Sequence, residues 1–203
     1  MQIQIHTGGI FDTNCFYLEE YGILIDAPQE AAEWLDEFDL KVSLLLLTHG
    51  HVDHVQDAAK IKRAHGCKVG YHQDTVPMLT EPGFFRKHGF EWDIETVEPD
   101  LIIGETASQT FNGIDFQVLF VPGHCPGSIC FFTPKDNVLF GGDVLFAGAI
   151  GRCDLPGGDY NLLLSGIKNK ILPLGDDVTI LPGHGPATKI GIEKRTNPFL
   201  TGE

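Results

Sequence analysis

Apolar and polar positions change period along the chain, and the changes mark its elements. Residues 2–6 alternate with period two, as a half-buried strand does. Residues 15–19 and 22–26 read as two further strands joined by a tight turn at Glu20-Tyr21. Pro28 then opens a helix in which Ala31, Trp34, Leu35 and Phe38 follow the i, i+3, i+4, i+7 spacing of one face. Residues 42–47 are the apolar run of a buried strand. Residues 55–65 are expected to be helical with Gly66 as C-cap, and 68–71 to be a short strand. Residues 80–98 show no period; Phe84, Phe85, Phe90 and Trp92 stand there among proline, glycine and charged residues. Strands are expected at 107–111, 116–121, 129–133, 138–140 and 178–181. Asp159 is placed to cap a helix carrying Tyr160, Leu163, Leu164, Ile167 and Ile171 on one side, and 188–195 form a short last helix. No linker or low-complexity tract interrupts the pattern, so a single domain over 1–203 mixing strands and helices is expected.

Four of the apolar strands end alike. Residues 44–47 run into Thr48-His49-Gly50-His51-Val52-Asp53-His54, 118–121 into Pro122-Gly123-His124, 138–140 into Gly141-Gly142-Asp143, and 178–181 into Pro182-Gly183-His184. Each metal-capable side chain lies just past a strand end, beside glycine that lets the backbone turn sharply. Ligands commonly gather beyond strand ends, so these four ends can converge. Of nine histidines, five occupy these positions; His6, His65, His72 and His88 do not, and are expected to be surface or hydrogen-bonded residues. Imidazole with carboxylate suits zinc, iron or manganese better than calcium or magnesium. One zinc-like ion takes three or four protein ligands, so the seven side chains His49, His51, Asp53, His54, His124, Asp143 and His184 fit two ions that share one. A carboxylate can bridge and an imidazole cannot, which leaves Asp143 or Asp53; Asp143, arriving from a separate strand, is the better candidate.

Composition narrows the partners. Fourteen basic against 28 acidic residues give a formal net charge of −14, which argues against a nucleic-acid or anionic-membrane surface. A small anionic substrate stays open, because bound dications reverse the local field. Cys15, Cys67, Cys125, Cys130 and Cys153 are odd in number and form no CxxC pair, which points to a reducing compartment. No secretory leader or transmembrane-length apolar stretch stands out, so a cytoplasmic location is expected.

The pattern His49-x-His51-x-Asp53-His54, followed by His124, Asp143 and His184, resembles the metallo-β-lactamase fold superfamily over nearly the whole chain. The resemblance implies a four-layer αββα sandwich of mixed α/β class, with the metals at one edge of its two sheets. It implies that His49, His51 and His124 hold a first metal, Asp53, His54 and His184 a second, and that Asp143 bridges them. Class B1 β-lactamases usually carry cysteine at the place of Asp143 and lack a match to His54. The flanks 122–128, 142–146 and 151–159, and the tail 182–186 with EKRTNPFL at 193–200, are similar to short glyoxalase II-type, or hydroxyacylglutathione hydrolase-type, enzymes. Longer members add a C-terminal helical region with basic contacts to glutathione, which this chain ends before. Cys153 replaces a threonine common in short members. Arg152 stands where longer members place a glutathione-binding lysine; an ion pair with Asp154 or Asp159 is its other reading.

This resemblance implies a dinuclear metal-dependent hydrolase, with zinc first and iron or manganese as alternatives. Its expected substrate is a small-molecule thioester such as S-lactoylglutathione, attacked by a metal-bridging hydroxide with Asp53 in a catalytic role. Two dications outweigh two aspartates and one hydroxide, leaving positive charge for the oxyanion. Asp26, ending an apolar strand, either orients a ligand histidine or serves as a turn residue before Pro28. The aromatics of 84–92 either wall the substrate entrance or simply pack. The alternatives are a mononuclear iron persulfide dioxygenase using His49, His124 and Asp143, and a hydrolase of another ester or lactone.

Overall fold

Strand pairing follows the apolar pattern closely. A computed structural model describes residues 1–202. The chain divides into two compact units, Met1–Ile103 and Gly104–Glu203, each built on one six-stranded sheet.

In the first unit, β1 (Ile3–Gly8) and β2 (Thr13–Leu18) form an antiparallel hairpin, and β3 (Ile23–Ile25) pairs antiparallel with β2. The expected tight turn is a 3-10 turn, Glu19–Tyr21, closed by Gly22 at φ +59°. Helix α1 (Ala31–Glu37) carries the chain over to β4 (Leu44–Leu46), which runs parallel to β3. Both strands are buried throughout, as parallel strands covered on two faces must be. Ala31 and Leu35 face the core as expected, but Phe38 lies past the helix end and is exposed.

The helix expected over 55–65 is two pieces, α2 (Val52–Val55) and α3 (Ala58–His65). The break falls at Asp57, whose N–H donates to Ala27 O and whose carboxylate accepts from Ala32 N, bonds that compete with helix continuation. Gly66 caps α3 at φ +61°. β5 (Lys68–Tyr71) and β6 (Leu101–Ile102) complete the parallel part of the sheet. Between them lie α4 (Val76–Thr80) and α5 (Phe84–Lys87), the latter inside the stretch expected to be irregular. Leu24, Leu35, Leu45, Ile61, Val69 and Tyr71 are central in this unit's core.

In the second unit, β7 (Thr106–Phe111) and β8 (Ile114–Phe120) turn through Asn112-Gly113, both at positive φ, the requirement of a tight hairpin. β9 (Ile129–Thr133) and β10 (Val138–Gly142) continue the antiparallel meander. A small hairpin, β11 (Leu145–Phe146) and β12 (Ala149–Ile150), follows. Helix α6 (Tyr160–Gly166) starts where Asp159 accepts from Leu162 N at 2.9 Å, the expected cap, and passes into a π turn at Ile167–Ile171. Its Leu163, Ile167 and Ile171 are buried; Tyr160 is exposed. β13 (Thr179–Pro182) pairs parallel with β10, and β14 (Thr188–Lys189) closes the sheet before α7 (Ile190–Thr196) and α8 (Pro198–Thr201). Among the described residues, no helix is long and apolar enough to cross a membrane.

Candidate metal centre

The first unit gathers His49, His51, Asp53 and His54 on the turn from β4 into α2. Parallel pairing of β3 with β4 sets Ile25 opposite Leu46, and Asp26 N donates to Leu46 O at 2.9 Å. Asp26 is thereby carried beside Thr48, with its backbone at φ +61° and its side chain only 1% exposed. Its carboxylate accepts from Thr48 N, Thr48 Oγ1 and His54 Nδ1, each at 2.8 Å. Of the two readings of Asp26, the hydrogen bond to His54 is the contact that the first requires.

These bonds settle two tautomers. A carboxylate only accepts, so His54 carries its proton on Nδ1. The single Thr48 hydroxyl proton goes to Asp26, so that oxygen accepts from His49 Nδ1 at 3.1 Å. Both imidazoles are left with Nε2 as the unprotonated nitrogen, the one able to take a metal. The ring centroids of His49 and His51 lie 4.8 Å apart, and those of His49 and His54 4.2 Å apart. Asp53 Oδ2 sits 3.6 Å from His54 Nε2 and accepts from the buried Thr13 hydroxyl at 2.9 Å.

The second unit holds the other three candidates. His124 follows β8 on a turn only glycine can make. At Gly123, φ is +125° and a Cβ would lie 2.4 Å from Leu163 N and 2.6 Å from Asp159 O. His124 Nδ1 donates to Arg152 O at 2.8 Å; a carbonyl only accepts, so Nε2 is again the unprotonated nitrogen, the one able to take a metal. Asp143 leaves β10 after a register slip between Phe140 and Gly142. Its main chain is pressed so closely by Gly151 that a Cβ there would meet Asp143 O at 2.0 Å. His184 follows β13, where Gly183 N donates to Gly142 O.

One oxygen, Asp143 Oδ2, lies 3.4 Å from Nε2 of His124 and 3.4 Å from Nε2 of His184. A charge-assisted hydrogen bond would close to about 2.7–2.9 Å. Two ligands on bonds of about 2.0–2.1 Å at a tetrahedral angle stand about 3.3–3.4 Å apart. The spacing is that of atoms sharing an ion, and one carboxylate oxygen has it toward two histidines at once. The donor set of imidazole nitrogens and carboxylate oxygens thus fits divalent metal.

Arg152 is exposed and grips Asp154 through two bonds, Nε to Oδ1 and Nη2 to Oδ2, both 2.7 Å. The guanidinium holds the Asp154 carboxyl down at about 2. Glu193, within the EKRTNPFL tail, is buried and accepts from Gly148 N at 2.8 Å, Thr188 Oγ1 at 2.5 Å and Asn197 Nδ2 at 2.9 Å. It ties the β11–β12 hairpin, between Asp143 and Arg152, to β14, α7 and the start of α8. Thr13, Thr48 and Glu193 were not among the residues expected from sequence. Thr48 has a local signal in its adjacency to His49, and Glu193 in its place at the head of the EKRTNPFL stretch.

A family model for the metallo-β-lactamase superfamily matches residues 8–184. The chain belongs to the metallo-β-lactamase superfamily. Its two multi-strand sheets with helices match the metallo-β-lactamase fold. It is 40% identical to hydroxyacylglutathione hydrolase GloC of Haemophilus influenzae, over 98% of each chain. The crystal structure of BLEG-1 B3 metallo-β-lactamase matches with a TM-score of 0.90 and 36% identity, covering 98% of this chain and 100% of that one. TTHA1623 in a di-iron-bound form matches with a TM-score of 0.82 and 35% identity, covering 97% and 100%. Metallo-β-lactamase superfamily membership and the His/Asp clusters together imply divalent metal binding and support a metal-dependent hydrolase.

Proposed function

We propose that this chain is a dinuclear metal-dependent hydrolase of small-molecule thioesters, of which S-lactoylglutathione is the type. The observation that carries the reading is the Oδ2 atom of Asp143, equally spaced from two histidine Nε2 atoms. In this reading His49, His51 and His124 hold one ion, and Asp53, His54 and His184 the other. Asp143 is shared, and residues 1–203 act as one domain.

Bound dications supply an activated water at neutral pH and polarise the thioester carbonyl. The protein's own groups do the rest. Asp26 and Thr48 keep His49 and His54 in the ligating tautomer, and Arg152 O does the same for His124. Thr13 steadies Asp53, which we assign a catalytic role beside its metal bond. Only two aspartates face two dications, so positive charge remains for the oxyanion. A thiolate leaves without a general acid. Arg152 can exchange Asp154 for a glutathione carboxylate at little cost, since an exposed pair is worth little. Zinc is our first choice, with iron and manganese as alternatives; the odd number of cysteines favours a reducing compartment such as the cytoplasm.

The thioester assignment rests on the likeness to GloC, and a second reading, β-lactam hydrolysis, on the likeness to BLEG-1. Protein loaded separately with zinc, iron or manganese should be assayed on S-lactoylglutathione, simple lactones and a chromogenic cephalosporin. Metal-dependent release of glutathione is expected. Cephalosporin or lactone turnover with the thioester untouched would overturn the proposal.

A further inference from the structure

Within the first unit, a cavity of about 110 Å³ opens beside Asp53, lined by Ile10, Phe11, Val52 and Trp92 together with the exposed Gln29 and Gln56. Its apolar side chains are costly to display. Ile10 is 71% exposed, Phe11 45% and Trp92 42%, although such residues are ordinarily buried. Ile10 and Phe11 form the tip of the β1–β2 hairpin, whose last pair is Gly8 with Thr13. The tip is not loosely hung. Gly9 and Asp12 both turn at positive φ, and Asp12 N donates to Gly9 O. Gly8 lies so near the chain at Gln29 that a Cβ would stand 2.2 Å from Gln29 O. Phe11 meets Trp92 edge to face at 5.5 Å and 86°, a favourable aromatic geometry that holds the two walls together. The cavity is therefore preformed, and preformed apolar concavities with few polar groups are where small ligands bind.

Its chemistry says which part of a substrate it suits. Among the described residues that line it, Asp53 alone carries a charge and no cation is present. A glutathione arm bears two carboxylates, which would meet the Asp53 charge and no cation there. We propose that the cavity receives the acyl chain of the thioester and selects short apolar acyl groups over the hydroxylated lactoyl group. An apolar cavity of about 150 Å³ takes up benzene, so this one accommodates on the order of four carbons. Asp53 in its wall places the chain's carbonyl end beside the metal-ligating residues. The inference rests on the hydrolase reading above and adds the class of acyl group to it.

The test is a series of glutathione thioesters, with lactoyl, acetyl, propanoyl, butanoyl, hexanoyl and octanoyl groups, on metal-loaded protein. Burial of one methylene is worth about fourfold in binding. kcat/KM should rise about fourfold per carbon to roughly butanoyl and then level, with butanoyl well above lactoyl. Ile10→Gln and Trp92→Ala should flatten that rise. A flat series, or lactoyl above butanoyl, would overturn the acyl-pocket inference while leaving the thioesterase reading intact. Tryptophan-fluorescence titration of the loaded protein with acetate, butanoate and hexanoate reads the pocket without turnover. Dissociation constants should fall from acetate to butanoate in the native protein, level at hexanoate, and converge in Ile10→Gln. If no thioester is cleaved but the constants still fall, the hydrolase reading fails and the apolar pocket stands. If they do not fall, the pocket inference is wrong.

Discussion

Asp26→Asn replaces one oxygen by an NH2 group without changing shape, and should damage metal binding through a proton rather than a void. The Thr48 backbone N–H can only donate, so the new amide must keep its oxygen toward that nitrogen. The NH2 then stands where Oδ2 accepted from both the Thr48 hydroxyl and His54 Nδ1. Both partners must now accept. His54 moves its proton to Nε2. The Thr48 hydroxyl turns toward His49 Nδ1, 3.1 Å away, which likewise drives the His49 proton to Nε2. Two ligating lone pairs are lost together. Loss of a bond that orients a metal-ligating histidine costs about 10–100-fold in metal affinity. Exchange of charge-assisted bonds for neutral ones costs about 1–3 kcal/mol of stability. Chelator-competition titration should show at least one dissociation constant raised by about 10-fold or more. Long-range ¹⁵N–¹H spectra of the apo variant should show Nε2–H signals for His49 and His54, against Nδ1–H in the native protein. Native-like affinity for every ion, with Nδ1–H retained, would refute the tautomer argument.

Glu193→Ala strands the Gly148, Thr188 and Asn197 donors in a buried site, at about 1–3 kcal/mol each. Denaturant unfolding should show a loss of about 3–5 kcal/mol, and Glu193→Gln a smaller one; a loss under about 1 kcal/mol would contradict this. Arg152→Ala removes the group that depresses the Asp154 carboxyl to about 2. That carboxyl's contribution is present above its unfolded pKa of about 3.9 and is lost as pH falls toward about 2. The carboxyl titration followed by NMR should move back up to the ordinary range in the variant, and an unmoved midpoint would contradict the pairing.

Strand ends carrying His49, His124, Asp143 and His184 were legible because a buried strand reads as an apolar run and a glycine turn must follow it. Asp26 was legible only as two alternatives, since its role depends on β3 lying beside β4 in the register that sets Ile25 opposite Leu46. Thr13 was beyond reach for the same reason: it meets Asp53 across forty residues, with no local pattern to announce it. The period over 55–65 is continuous and predicts one helix, while Asp57 breaks it through bonds to Ala27 and Ala32. The short helix α5 leaves no mark in the sequence because four residues are too few to show a period. Glu193 stood in a stretch noted for its likeness to short glyoxalase II-type enzymes. Only the folded chain shows its carboxylate clamping the hairpin between Asp143 and Arg152.

The most direct test of the central claim is a stoichiometric titration of metal-free protein with zinc, iron or manganese, with S-lactoylglutathione hydrolysis measured at each addition. Two ions should bind per chain, and hydrolysis should appear with the second equivalent and vanish on chelation. Full occupancy at one iron per chain, with oxygen consumed on glutathione persulfide and no thioester cleaved, would contradict the account.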